Sequence, residues 1–251
     1  MQGDYGHCDL RDIPYSEHIS AGNWKADTAM SVFVLLMGFP GVGKLTIATE
    51  LSSVFPAKII DNHWFNNPIL RLLDDDGATP LPKGIWEYTG RVRQAVLDAI
   101  VAYCPPPSNF IFTHAGIDGD ERSARTYQQI SDAARRCEAL VVPIRLLCDE
   151  EELARRVSTP ARRDRLKSID AQASREKCRQ ARVLDPKHRF TLDLDVTAKT
   201  AEASAAAIQH HVFERCRRRF WPALRERCCC RTTVGTRLAR AFSLSREKSG
   251  T

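Results

Sequence analysis

The chain has 251 residues, 43% hydrophobic and 27% charged, which suits a folded globular protein with room for one large domain and a sizeable core. Its formal charge of +6 is uneven: residues 214–251 hold eleven Lys or Arg against three acids, leaving 26 bases against 28 acids in residues 1–213. A near-neutral body excludes a broad nucleic-acid or membrane-binding face and confines any such partner to the basic tail.

Residues 1–30 are polar and aperiodic and carry Asp4, Asp9, Asp12, Glu17 and Asp27, so they read as a flexible leader and not as a secretory signal or an acid-poor transit peptide. The apolar run 32–37 follows, β-prone and unbroken as in a strand buried on both faces, and far too short to cross a bilayer. Gly38 ends it, and residues 44–55 read as a helix with Leu45, Ala48, Leu51 and Val54 at helical spacing and Pro56 as the stop. A short strand at 58–60 ends on Asp61, and a short helix is expected over 66–73. Residues 90–103 form a stronger helix, with Val92, Val96, Leu97, Ile100 and Val101 on one face. Strand 109–112, helix 120–137, strand 140–147, helix 150–157, strand 190–194 and an alanine-rich helix 200–212 complete the alternation. Strands alternating with helices predict an α/β domain over 31–212, its sheet mostly parallel and covered on both faces.

The tail, 213–251, carries Arg217, Arg218, Arg219, Phe220 and Trp221 and the run Cys228, Cys229 and Cys230. It reads as a disordered extension, with binding to nucleic acid or an acidic membrane as the alternative. Nine cysteines occur without a C-x-x-C pair, so neither a zinc site nor a disulfide framework is indicated, and a reducing, cytoplasmic setting is expected.

The chemistry lies in residues 38–46. Phosphoryl groups bring concentrated negative charge, which a chain holds by aiming many backbone N–H groups at one place. Gly38, Phe39, Pro40, Gly41, Val42 and Gly43 supply that loop, Lys44 reaches the outer phosphates, and the helix behind adds its positive end. A buried strand runs into the loop and a helix runs out of it, so a nucleoside triphosphate, ATP, is the expected ligand. The residue after Lys44 is Leu45, where a Ser or Thr normally ligates Mg²⁺, and Thr46 comes one place later. A largely water-coordinated Mg²⁺, with Thr46 as the one candidate protein ligand, is therefore expected.

The form G-x-P-G-x-G-K-x-T resembles the loop of adenylate kinase and related small-molecule kinases, and residues 31–212 resemble the P-loop kinase core that includes shikimate kinase, gluconate kinase and the adenylate kinases. That resemblance implies a three-layer P-loop NTPase fold with parallel strands in the order 2-3-1-4-5 and a short lid. It implies an acidic residue facing the acceptor at the end of the second strand, a place held here by Asp61 in Ile59-Ile60-Asp61-Asn62-His63. It also implies an L-x-x-R helix leading into an arginine-bearing lid, matched by Leu153-Ala154-Arg155-Arg156 and then Arg162, Arg163 and Arg165. Thr113 and His114 stand where an acid commonly closes the third strand.

Lys44, Asp61, Arg156, Arg162 and Arg163 are thus the candidate catalytic residues. Asp61 either orients and deprotonates an acceptor hydroxyl or caps the next turn. His63 reads as a structural histidine or an acceptor contact, and Arg91 and Arg93 as a polar helix face or an acceptor contact. The basic run 155–167 either neutralises the transferring phosphoryl group or forms a solvated helix end. The expected function is transfer of the ATP terminal phosphoryl group to a small acceptor. A nucleotide-binding regulator without transfer, or a kinase of nucleic-acid ends anchored by the tail, are the alternatives.

Overall fold

A computed structural model describes residues 30–73, 81–82, 84–158 and 171–232, with side chains through Cys216. Five strands, all parallel, form one sheet in the order β2-β3-β1-β4-β5. They are β1 (Val32–Met37), β2 (Lys58–Ile60), β3 (Phe110–His114), β4 (Leu140–Leu147) and β5 (Leu192–Asp195). β1 lies at the centre with every residue buried, as its unbroken apolar run requires. Phe33 stacks against Phe110 and Phe112 at centroid distances of 5.2 and 5.4 Å, locking β1 to β3.

Seven helices occur among the described residues: α1 (Lys44–Val54), α2 (Asn62–Leu70), α3 (Ile85–Tyr103), α4 (Glu121–Arg136), α5 (Glu150–Val157), α6 (Ala171–Gln180) and α7 (Ala201–Thr232). α1 packs on α7, while α2, α3 and α4 pack in succession on one another, so the sheet is enclosed between helices as the sequence predicts. Asp120 caps α4 by accepting from Ser123 N–H, and Asp149 caps α5 by accepting from the N–H groups of Glu151 and Glu152.

Several boundaries differ from those expected. α2 begins at Asn62 and not at residue 66, because Asp61 has the extended backbone of an N-cap (φ −74°, ψ 139°) and the chain turns into the helix at once. Pro68 falls inside that helix and removes one ladder donor. α3 begins at Ile85, so Gly90 is interior and does not start the helix. β3 runs on to His114, past the apolar residues that mark it in the sequence. α6 was not expected: none of its residues is buried, and it is joined to α5 by the paired carboxylate–guanidinium contacts Glu151–Arg175 and Glu150–Arg179.

The last helix does not stop at Val212 but continues to Thr232, so the expected disordered tail opens inside a helix. Ile208, Val212 and Cys216, four residues apart on one face, are all buried, and the packed stripe therefore outlasts the alanine-rich segment. No helix among the described residues is long and apolar enough to cross a membrane.

Candidate active site

The loop after β1 turns on two glycines with positive φ, Gly41 at 99° and Gly43 at 98°. Gly41 also lies hard against α5: a Cβ there would stand 2.5 Å from Val157 Cγ2 and 3.2 Å from Leu153 Cδ1. Gly38 is as confined, with Leu146 O only 2.8 Å from a Cβ built on it. Gly43 precedes α1 and offers no side-chain cap, and the first described ladder bond runs from Ile47 N–H to Gly43 O at 2.9 Å. The leading N–H groups of α1 thus face the loop's hollow with the positive end of the helix behind them. Lys44 Nζ donates to Gly38 O at 2.7 Å and Phe39 O at 2.9 Å, which folds the ammonium back over the loop. Phe39 and Val42 are buried, Pro40 and Leu45 are half-buried, and Thr46 is exposed on the first turn of α1.

The glycine cradle and its lysine fit a chain of phosphates. For a divalent cation the chain offers less: no group of three or more His, Cys, Asp or Glu among the described residues is arranged to hold one. Thr46 is a solvent-facing hydroxyl at the loop, which fits an ion held mainly by phosphate oxygens and water.

The register aligns Ile60 with Phe112, Thr113 with Leu36 and His114 with Met37, so three strands end together at one sheet edge. Asp61, next after Ile60, is 8% exposed and does not cap α2 with its side chain. Thr113 Oγ1 instead donates to its Oδ1 at 2.6 Å, and the same hydroxyl accepts from Asn62 N–H at 3.0 Å. Asp61 Oδ2 has no partner among the described residues. β3 stands between β2 and β1, so Asp61 reaches the loop's neighbourhood across Thr113 and not from the adjacent strand.

His114 joins the two halves of the site. Its carbonyl accepts from Gly38 N–H at 3.2 Å, and its ring Nε2 donates to Ser123 O at 3.2 Å, which fixes the tautomer. Burial first, then the charges of Arg93, Lys44 and Arg122, push its pKa down to about 3, so the ring is neutral.

Arg156 is a brace in this structure. Its guanidinium donates to Glu152 at 2.6 Å, to Val42 O in the loop at 3.3 Å, and to Val196 O and Thr197 O after β5 at 2.8 and 3.0 Å. Arg155 points outward and pairs with both oxygens of Glu152, and the two arginines together hold the Glu152 carboxyl down to about 2. Arg162, Arg163 and Arg165 lie outside the described residues. His63 sits in the first turn of α2, with Nδ1 3.2 Å from Asn67 Oδ1.

Arg91 and Arg93, expected on one polar face, separate. Arg91 is exposed and pairs with Glu87 at 2.6 Å, whereas Arg93 is only 5% exposed. Sequence reasoning noted Thr113 only as standing where an acid commonly closes the third strand, and left Arg93 between a polar helix face and an acceptor contact without expecting its burial. For Arg93 a signal was present, since it follows Thr89 by four places and precedes Leu97 and Ile100 by four and seven, all of them buried.

A family model described as chloramphenicol phosphotransferase-like protein matches residues 31–213. Comparison with curated protein sequences finds no match. Among solved structures, a sugar kinase from Janibacter sp. is similar at 18% identity, covering 72% of this chain and 94% of that one with a TM-score of 0.51. A thymidylate kinase from Candida albicans is similar at 17% identity, covering 75% and 93%, also with a TM-score of 0.51. At such identities the likeness is one of fold.

Proposed function

The chain belongs to the chloramphenicol phosphotransferase-like protein family, and on that footing we propose that this phosphotransferase moves the terminal phosphoryl group of ATP to a hydroxyl of a small molecule. One observation carries the proposal: the glycine loop with Lys44 and the Asp61–Thr113 pair share one sheet edge, separated only by His114. The loop N–H groups hold the outer phosphates, and Lys44 exchanges the carbonyls of Gly38 and Phe39 for phosphate oxygens. Magnesium bound with the phosphates would neutralise their charge, and Thr46 is the hydroxyl with which this chain would join its shell. Asp61 lies at the carboxyl edge of a parallel sheet, where such folds bind ligands, with Oδ1 fixed by Thr113. Its Oδ2 orients the acceptor hydroxyl in line and takes its proton as the oxygen bonds to phosphorus and the bond to the departing diphosphate breaks.

The test incubates the protein with Mg²⁺, ATP and a metabolite extract, reading phosphorylated products by mass difference and ADP release by coupled assay. Asp61→Asn, which keeps the size and removes the charge, slows transfer by about a hundredfold or more while ATP affinity holds. Wild-type protein that binds ATP in calorimetry but releases ADP at a rate no acceptor alters would overturn the proposal in favour of a nucleotide-binding regulator.

A further inference from the structure

A cavity of about 430 Å³ lies at the end of the sheet opposite the glycine loop. Val141 at the start of β4 lines it, with Arg135 and Glu138 from the end of α4 and His188, Arg189 and Phe190 from the approach to β5. β4 runs from this cavity to Leu146, whose carbonyl stands against Gly38, and at about 3.3 Å per residue the two ends are more than about 15 Å apart. A ligand here and a nucleotide at the loop therefore do not touch. The volume falls within the range of about 300–1,000 Å³ usual for small-molecule sites.

The wall of the cavity is held in place by the fold itself. Phe190 N–H donates to His188 Nδ1 at 3.3 Å, and Phe190 O accepts from His211 Nε2 on α7 at 2.9 Å, so this residue is fixed from two sides. The Arg189 guanidinium lies 4.4 Å from the centroid of the Phe190 ring, and the His188 ring meets the same ring edge-on at 5.5 Å. Burial first, then Arg189, lowers the pKa of His188, so the ring is neutral and its hydrogen rides on Nε2, a donor with no partner among the described residues.

The charges around the cavity identify what would fill it. Arg135 is neutralised by Asp132 at 2.9 Å. Arg189 and Glu138 are both exposed, neither has an ion pair among the described residues, and they do not pair with each other although they line one cavity. Glu138 also has a φ of 52°, in the turn that ends α4 with Ala139 N–H donating to Ala134 O at 2.8 Å. Glycine would hold that place without strain, yet a carboxylate stands there. One cation, one anion, a spare imidazole N–H and an apolar wall of Phe190 and Val141 thus surround the same space.

We propose that this cavity is a second ligand site, separate from the glycine loop, and that it takes a free α-amino acid with an apolar side chain. Arg189 and His188 Nε2–H hold the carboxylate, Glu138 holds the ammonium, and the side chain lies on Phe190 and Val141. Both unpaired charges are matched only by a zwitterion, so an acid or an amine of the same shape leaves one of them without its partner.

The test titrates L-phenylalanine and L-leucine into the full chain by calorimetry at constant ionic strength, with melting temperature as a second readout. Hydrocinnamate, which lacks the amine, and phenethylamine, which lacks the carboxylate, are titrated alongside. Wild type is expected to bind at least one of the amino acids at a single site, and each single-charge analogue at least about tenfold more weakly. Arg189→Gln and Glu138→Gln should each weaken amino-acid binding at least about tenfold. Glu138→Gly removes the carboxylate and relieves the positive φ, so it should lose binding while melting no lower than wild type, which separates lost binding from a lost fold. Lys44→Ala should retain binding within about twofold, because the glycine loop is not the site. No binding of either amino acid to wild type, analogues as tight as the amino acids, unchanged binding by both charge variants, or loss of binding in Lys44→Ala would each overturn the proposal. None of these readouts depends on phosphoryl transfer, so the kinase proposal stands or falls apart from them.

Discussion

Thr113→Val should cost this protein far more than an isosteric change normally does. The substitution keeps the shape and removes an oxygen that serves two groups, donating to Asp61 Oδ1 at 2.6 Å and accepting from Asn62 N–H at 3.0 Å. Loss of a hydrogen bond to a charged group costs about 1.5–3 kcal/mol, and a stranded buried N–H costs about 1–3 kcal/mol. Asp61 is 8% exposed, so the first cost applies nearly in full, while Asn62 is half-buried and recovers part of the second from water. The net expectation is about 2–4 kcal/mol, a large share of a typical total stability of about 5–15 kcal/mol. Urea unfolding followed by circular dichroism would measure it for Thr113→Val, Thr113→Ser, Asp61→Asn and the Val/Asn double variant. The serine variant should stay within about 1.5 kcal/mol of wild type, and the cycle should show at least about 1 kcal/mol of coupling between the two sites. A valine variant within about 0.5 kcal/mol of wild type, or no coupling, would refute the assignment of Thr113 as the residue that positions Asp61.

Gly41→Ala meets both a φ of +99° and Val157 Cγ2 at 2.5 Å, so about 1–2 kcal/mol of backbone strain adds to about 1–3 kcal/mol of overpacking. ATP affinity by calorimetry should fall at least tenfold; unchanged affinity would mean that the loop does not cradle phosphates. Arg156→Ala removes the brace between α5, the loop carbonyl of Val42 and the turn after β5, and should raise the KM for ATP more than it lowers kcat; the opposite split would make Arg156 a transition-state contact. His114 stays neutral in the fold until about pH 3, whereas unfolded histidine takes a proton below about 6.5, so its contribution is complete above pH 6.5 and is lost as pH falls toward 3. Urea midpoints between pH 7 and 5 should therefore drop, and drop less in His114→Gln; identical slopes would remove His114 as a cause. Truncation after His211 deletes the buried Val212 and Cys216 and should lower the melting temperature measurably, while an unchanged melting curve would show that the end of α7 does not stabilise the core.

The parallel sheet was legible because β1 and β4 are continuous apolar runs and strands alternate with helices, its strand order was implied only by the resemblance to the P-loop kinases, and the loop was legible because its glycines and lysine stand between a strand and a helix. Asp61 could be singled out by its place at a strand end. Its partner could not, since Thr113 is 52 residues away and only the β2–β3 register brings the pair together. Arg93 was read as a polar helix face or an acceptor contact because charge outweighed position, although its spacing to Thr89, Leu97 and Ile100 puts it on the buried side of α3. Arg156 was legible as a position and not as a geometry, because Val196 and Thr197 reach it through a parallel pairing, β4 with β5, that no local pattern encodes. α6 carries no apolar stripe, and its exposed surface leaves little for periodicity to register.

The packing of α7 on α1 also bears on how the protein is made. Gln209 Nε2 donates to Val54 O at 2.7 Å, joining points 155 residues apart, and that contact covers the helix that starts at the glycine loop. At about 5–20 residues per second, the ribosome needs about 8–30 s to extend the chain from one point to the other. During that interval α1 has emerged without α7 packed on it, and the surface that α7 covers is open to chaperones or to neighbouring nascent chains. Nucleotide encountered in that interval meets a loop whose following helix is not yet seated, so ligand binding becomes a late event that marks a nearly finished molecule. Codon changes that slow synthesis between α1 and α7 would then lower the yield of active protein without altering a single residue.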